Sequence, residues 1–168
     1  MPKREDIQKI LILGSGPNII GQGGEYDLAA LQACQALHNQ GYSLTVVNSN
    51  PATVSTFQDM AEATYIEPLT VKSLTCIIAA KRPDALLPIC GGQAALNLTF
   101  KLQQAKILDE YSVEILGFPF NSLKCCEDRL LFKQTMQQLD FDMPKSTMIN
   151  SVQGAEQIAD QLNYPSLV

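Results

Sequence analysis

The chain has a single histidine, His38. That excludes a metal centre built on several histidines, and it excludes a histidine-based triad unless His38 itself serves. His38 falls late in a helical pattern, close to Gly41, where a surface or last-turn role is the simpler reading. Positive charge is also scarce. Twelve Lys and Arg face 17 Asp and Glu, a net charge of −5, so there is no basic face of the kind nucleic acid needs. No apolar run approaches the ~18 residues of a membrane span. Lys3 and Arg4 imitate the start of a signal peptide, but the apolar run behind them stops at Gly14. That run is shorter than the roughly 7–15 residues a signal segment needs, so the chain reads as an intracellular protein starting at Met1. The five cysteines (Cys34, Cys76, Cys90, Cys125, Cys126) are odd in number and form no C-x-x-C pair. Neither a disulfide framework nor a zinc site is indicated, and most of the five are expected to be small buried thiols in a reducing compartment, with a redox-active Cys125-Cys126 pair as the lesser alternative.

Strand and helix signals alternate. Residues 7–13, 43–47, 63–66, 85–87 and 113–116 read as strands. Ala30, Ala33, Cys34 and Leu37 share one helical face within 28–37. Val71, Leu74, Ile77 and Ile78 mark a second helix, and Ala95, Leu98, Leu102 and Ala105 a third. Strands separated by helices of this length predict a Rossmann-like, doubly wound parallel sheet of the α/β class. After Gly117 the rhythm changes. Residues 123–139 read as one helix, 145–149 as extended chain, and Asn150 as the cap of a helix lined by Val152, Ala155, Ile158 and Leu162. Pro165 to Val168 starts another strand. The expected division is one complete domain over 1–122 and the opening of a second over 123–168.

The first strand runs into Gly14-Ser15-Gly16-Pro17-Asn18-Ile19-Ile20-Gly21-Gln22-Gly23-Gly24-Glu25. A dinucleotide fingerprint needs G-x-G-x-x-G and an acid about 20 residues on, at the end of the second strand. Gly14 and Gly16 fit, but Ile19 stands where the third glycine belongs, and the second strand ends in the uncharged Asn48-Ser49-Asn50. Pro17 removes a backbone donor that a pyrophosphate would use. No Gly-Lys-Ser/Thr follows, so the Walker pattern fails as well. The loops after the first, second and fourth strands carry Gln22 and Glu25, Asn48 to Thr53, and Cys90 to Asn97. A doubly wound sheet gathers these loops at one edge. Their amides and hydroxyls suit either of two roles, lining an uncharged polar passage or satisfying the turns' own backbone. Arg129 has Cys125, Cys126, Phe132 and Lys133 three and four residues away, so no carboxylate on its helix face pairs with it. It is either solvent-facing or held for an anion such as phosphate.

Ordered stretches from Met1-Pro2-Lys3-Arg4 to Glu127-Asp128-Arg129 resemble the N-terminal end of carbamoyl phosphate synthetase large subunits. Among them are Leu11-Ile12-Leu13-Gly14-Ser15-Gly16-Pro17, Ile20-Gly21-Gln22, Val47-Asn48-Ser49-Asn50-Pro51-Ala52-Thr53, Ala63-Thr64-Tyr65-Ile66-Glu67-Pro68, Arg82-Pro83-Asp84-Ala85 and Gly91-Gly92-Gln93. The resemblance implies a pre-ATP-grasp domain followed by the first elements of an α+β ATP-grasp domain. It implies an ATP-dependent ligase, cytoplasmic, that makes carbamoyl phosphate from bicarbonate, glutamine-derived ammonia and two ATP for arginine and pyrimidine synthesis. Magnesium or manganese and potassium are the implied cofactors. A glutaminase small subunit and the remainder of the large subunit are the implied partners. By the same resemblance Arg129 contacts ATP, and Gln22, Gln93 and Asn97 lie near the ammonia passage and the carboxyphosphate site. No catalytic residue or metal ligand is expected within these 168 residues, and the chain alone is expected to be inactive. The chain departs from the family pattern at Gly23-Gly24, at Leu28-Ala29-Ala30 and at Ala94. Two further readings stand beside this one: an NAD(P)-binding Rossmann oxidoreductase domain, and a non-catalytic module that docks on a glutaminase subunit.

Overall fold

The computed structural model describes residues 3–17, 23–56, 61–149 and 151–162. The chain divides into two compact units, Met1–Phe120 and Asn121–Val168. In the first unit five strands, β1 (Lys9–Leu13), β2 (Ser43–Asn48), β3 (Ala63–Ile66), β4 (Ala85–Leu87) and β5 (Glu114–Ile115), form one sheet. All neighbours are parallel, in the order β3-β2-β1-β4-β5. Central strands of such a sheet are covered on both faces, which is why β1 reads as a continuous Ile-Leu-Ile-Leu run rather than an alternation. Ile10 and Ile12 join Leu44, Val46, Ala85 and Cys34 in one apolar cluster. Leu11 and Leu13 join Val47, Leu86, Leu74, Ile78, Leu98 and Leu102 in another. Thus α1 (Gly23–Asn39) packs on one face, and α2 (Val71–Lys81) and α3 (Gly92–Gln104) on the other.

Thr70 caps α2 by accepting from the Ser73 N–H at 3.2 Å. A short helix not expected from the sequence, α4 (Ile107–Glu110), buries Leu108 before β5. His38 is exposed in the last turn of α1, and its carbonyl accepts from the Gly41 N–H at 2.8 Å.

The second unit holds α5 (Phe120–Glu127), which begins at the unit's edge, α6 (Arg129–Gln138) and α7 (Val152–Leu162). The single helix expected over 123–139 is two. Asp128 takes an extended conformation, and its carboxylate accepts from the N–H groups of Leu130 and Leu131, both at 2.9 Å. A residue whose side chain caps the following turn cannot also continue the preceding helix. At α7, Ser151 supplies the cap bond, with Oγ accepting from the Gly154 N–H at 3.1 Å. The expected cap Asn150 and the strand start at 165–168 lie outside the described residues. Among the described residues no helix is long and apolar enough to cross a membrane.

Candidate functional site

The strand order reverses direction between β1 and β4, so the loops leaving their carboxyl ends diverge to opposite faces. In open α/β sheets this switch point is where ligands enter. Here the loops after β1 (Gly14–Pro17), β2 (Ser49–Thr56) and β4 (Pro88–Gly91) meet around it.

Asn48 ends β2 and is fully buried. Its Oδ1 accepts from the N–H of Gly16 and from the N–H of Asn50, both at 3.1 Å, tying the first loop to the second. The side chain lies directly on Gly14, where an added Cβ would stand 2.4 Å from Nδ2. Gly16 has φ +78°, a conformation that favours glycine, and a Cβ there would reach Leu69 and Ser49 at 3.3 Å. Farther along the second loop, Asn50 Oδ1 accepts from Ala52 N–H at 2.9 Å, and the buried Thr53 and Ser55 hydroxyls bond each other at 2.7 Å. Asn48 Oδ1, Asn50 Oδ1 and the Thr53 and Ser55 hydroxyls are therefore engaged within their own loops, in line with one of the two roles the sequence left open. Among the described residues, three buried polar atoms remain without a hydrogen-bond partner: Asn48 Nδ2, Ser15 Oγ and Thr64 Oγ1.

From the other side, Gly91 presses on the first loop. A Cβ there would lie 2.6 Å from the carbonyl oxygen of Gly14 and 2.7 Å from that of Leu13. Gly92, at φ +59° and ψ −157°, supports the ring of Tyr26, which a Cβ would meet at 2.7 Å. The glycines thus let backbone and an aromatic ring close the space beside β1. Where a dinucleotide fold needs an acid, Asn48 is committed to backbone. These two features leave the oxidoreductase reading without support.

Nearby, Cys34 on α1 and Cys90 after β4 are both buried. Burial, with a smaller contribution from Cys90, pushes the Cys34 thiol up to about 11, and burial also raises Cys90. Both are poor nucleophiles for that reason. Cys76 and Cys126 are exposed and Cys125 is half-buried, so the expectation of buried thiols holds only for the first two.

Of the residues singled out by sequence, Gln93 and Asn97 are brought together. They sit on successive turns at the start of α3, both exposed, with Gln93 Nε2 donating to Asn97 Oδ1 at 3.2 Å. Gln22 lies outside the described residues. Arg129 belongs to the second unit, as the first residue of α6, and is exposed. A cation there opposes the positive end of the helix dipole, so the helix itself gains nothing from it. Tyr26 was missed in the sequence reading. The signal for it is Gly91-Gly92 at a helix start, because paired glycines there imply that something bulky occupies their Cβ space. Among the described residues no three His, Cys, Asp or Glu side chains gather as a metal site.

A family model described as the carbamoyl phosphate synthase preATP-grasp domain matches residues 6–125. The carbamoyl phosphate synthase large chain of Archaeoglobus fulgidus is 49% identical over the whole chain, and that of Rubrobacter xylanophilus is 46% identical. The chain spans only 16% of the length of each. Among solved structures, the biotin carboxylase domain of Hydrogenobacter thermophilus 2-oxoglutarate carboxylase, in complex with MgADP, ADP and bicarbonate, matches with a TM-score of 0.68 and 16% identity. The match covers 96% of this chain and 34% of that one. N5-carboxyaminoimidazole ribonucleotide synthetase from Thermotoga maritima matches at 0.60 and 13% identity, over 95% of this chain and 37% of that one. At such identities the likeness is one of fold.

Proposed function

The chain belongs to the family of carbamoyl phosphate synthase preATP-grasp domains, and on that premise we propose that it acts as the N-terminal part of a carbamoyl phosphate synthase large chain. The parent is an ATP-dependent ligase that forms carbamoyl phosphate from bicarbonate, glutamine-derived ammonia and two ATP, in the cytoplasm, for arginine and pyrimidine synthesis. Residues 1–122 serve as the pre-ATP-grasp domain, and 123–168 open an ATP-grasp domain. The partners are a glutaminase small subunit and the rest of the large chain.

The observation that carries this reading is the match of the family model across the first unit, where Gln93 and Asn97 are presented together at the loop edge. With Gln22 they border the route of ammonia toward carboxyphosphate. An amide oxygen accepts from ammonia, and an amide nitrogen donates to bicarbonate oxygen. Neither carries a charge that would hold ammonium in place. Arg129 offers a guanidinium fork to an ATP phosphate. One charge-assisted hydrogen bond contributes only about 1.5–3 kcal/mol, so the rest of the nucleotide site comes from elsewhere in the parent. The described residues offer no cluster suited to magnesium or manganese. Magnesium or manganese and potassium are taken to serve the parent enzyme.

The test is to place the chain in the Archaeoglobus fulgidus large chain in exchange for the matching segment. The hybrid should form carbamoyl phosphate. Gln93→Glu in it should lower the rate roughly tenfold, about 1.4 kcal/mol, and Arg129→Met should raise the KM for ATP. This chain alone should release no phosphate from ATP in the presence of bicarbonate. A hybrid that folds and makes no product, or a Gln93→Glu hybrid at full rate, would overturn the assignment.

A further inference from the structure

Of the five thiols, only Cys125 and Cys126 are adjacent in the chain. They lie in the last turn of α5. Cys126 is exposed and Cys125 is half-buried. The Cys125 Sγ–H donates to Thr135 Oγ1 of α6 at 3.2 Å, so one thiol ties the two helices together. The turn that holds the pair is closed by the Asp128 N–H, which donates to the Lys124 carbonyl at 3.2 Å. Asp128 itself is extended, at φ −91° and ψ 108°, and α6 begins with Arg129. The other thiols are placed differently. Cys34 and Cys90 are buried, and Cys76 is exposed with no second cysteine on α2.

Helical geometry keeps the two sulfurs from bonding. Successive side chains on an α-helix point about 100° apart. A disulfide ordinarily joins Cα atoms roughly 4.4–6.8 Å apart, whereas neighbours across a trans peptide stand about 3.8 Å apart. Ring closure between adjacent cysteines therefore demands a non-helical backbone and leaves a strained bond. Strained disulfides are readily reduced, which suits a regulatory bond rather than a structural one. Little of the helix has to open. The pair adjoins the extended Asp128, so only the final turn is lost.

We propose that Cys125 and Cys126 form a reversible redox switch, in which a disulfide between them unwinds the last turn of α5 and releases its tie to α6. The oxidant is a peroxide. The exposed Cys126 sulfur attacks one oxygen of hydrogen peroxide, the O–O bond breaks, and a sulfenic acid and one water result. Cys125 Sγ then attacks that sulfur. The S–S bond forms, the S–O bond breaks, and the hydroxyl leaves as a second water. In all, two thiols give up two electrons and two protons, and one peroxide becomes two waters. The Sγ–H that reached Thr135 is consumed, and the bond from Asp128 to the Lys124 carbonyl opens with the turn. Reduced glutathione restores both thiols. In reducing compartments, transient and sensing disulfides are the kind that occur. Arg129 stands on the released helix. That oxidation thereby weakens ATP binding rests on the role proposed for Arg129 above.

The test treats the chain, at low concentration, with equimolar hydrogen peroxide and then blocks the remaining thiols. Mass spectrometry maps the peptide that holds Cys125 and Cys126, and hydrogen exchange is read on the same samples. The peptide should lack two hydrogens and take up no blocking reagent. Protection in the last turn of α5 should fall at least tenfold, and reduced glutathione should reverse both changes. Cys126→Ser should abolish the bond. Cys125→Ser keeps a donor for Thr135, so it should hold Cys126 as a sulfenic acid, trapped by dimedone, with α5 still protected. Two blocked thiols in the wild-type peptide, a disulfide to a second chain, or a Cys125–Cys126 bond with protection unchanged would each overturn the proposal. In the Archaeoglobus fulgidus hybrid, oxidation should raise the KM for ATP at least threefold over the oxidised Cys125→Ser/Cys126→Ser hybrid. A disulfide with lost protection and an unchanged KM would support the switch and overturn the ATP role of Arg129 instead.

Discussion

Asn48 and Gly91 show how single residues set the loop edge. Asn48 Oδ1 serves two backbone donors in two different loops. Asn48→Ala would leave both N–H groups without that acceptor and open a cavity beside Gly14. Leaving a buried donor unpaired costs ~1–3 kcal/mol, so the expected loss is about 2 kcal/mol or more, read from the urea midpoint. Gly91→Ala would force a methyl against two backbone carbonyls, which yield less easily than a side chain. Overpacking of this kind costs about 1–3 kcal/mol. Gly24→Ala makes the contrast. Gly24 lies in α1 with nothing within 4 Å of its Cβ position, so alanine should be neutral or stabilising by up to ~1 kcal/mol. Equal urea midpoints for the two glycine variants would sink the close-approach explanation. The glycines themselves were plain in the sequence. Which of them were pressed by neighbours was not, because, apart from Ala95 beside Gly91, the groups pressing on Gly14, Gly16, Gly91 and Gly92 lie 33 to 78 residues away along the chain.

At the scale of elements, periodicity located the strands and the three long helices of the first unit because each buries a face, but it missed the four-residue α4. It also failed in the second unit, where little is buried. Residues 123–139 carry helical spacing throughout, and only the conformation of Asp128 divides them into α5 and α6. Asp128→Ala should remove the cap and destabilise α6 by ~1 kcal/mol. Hydrogen exchange at Leu130 and Leu131 would read this directly, and unchanged protection there would refute the capping role. Asp128 thus serves backbone, and Arg129 stands exposed at the helix start.

At the scale of the first unit as a whole, the opposite edge of the sheet is tied by charge. Arg4 donates through Nη1 to Glu114 at 2.6 Å and through Nε to Asp6 at 3.1 Å, while its backbone N–H donates to the Tyr42 hydroxyl at 3.0 Å. These bonds join the segment before β1 to β5, the last strand added. The Arg4 guanidinium, chiefly through its hydrogen bonds, holds both the Asp6 and Glu114 carboxyls below their ordinary values. A depressed carboxylate stabilises the fold above its unfolded pKa and ceases to do so as pH falls through the folded value. Arg4→Met should therefore lower the urea midpoint at pH 7, and its difference from wild type should fade below about pH 4, where carboxylates protonate. The three groups are exposed, so the effect is small and salt-dependent. A difference that persists undiminished at pH 3 would sink this account.

The sequence by itself determined the class of fold, the strand boundaries to within two residues, the family, and the failure of the dinucleotide pattern. Burial on both faces of a parallel sheet writes itself as continuous apolar runs, and glycine and proline announce turns locally. Tertiary structure alone decided what those turns are for. It placed Asn48 on Gly14, Gly91 on the carbonyls of β1, Tyr26 over Gly92, and Gln93 beside Asn97 at the loop edge. It also left Phe132, Leu139 and Phe141 exposed. Each depends on which distant segments share a place in space, and residue spacing along one element carries no record of that. The turn at Gly14 and Gly16, legible as a turn from the first, is a packing surface because other parts of the chain crowd its Cβ positions.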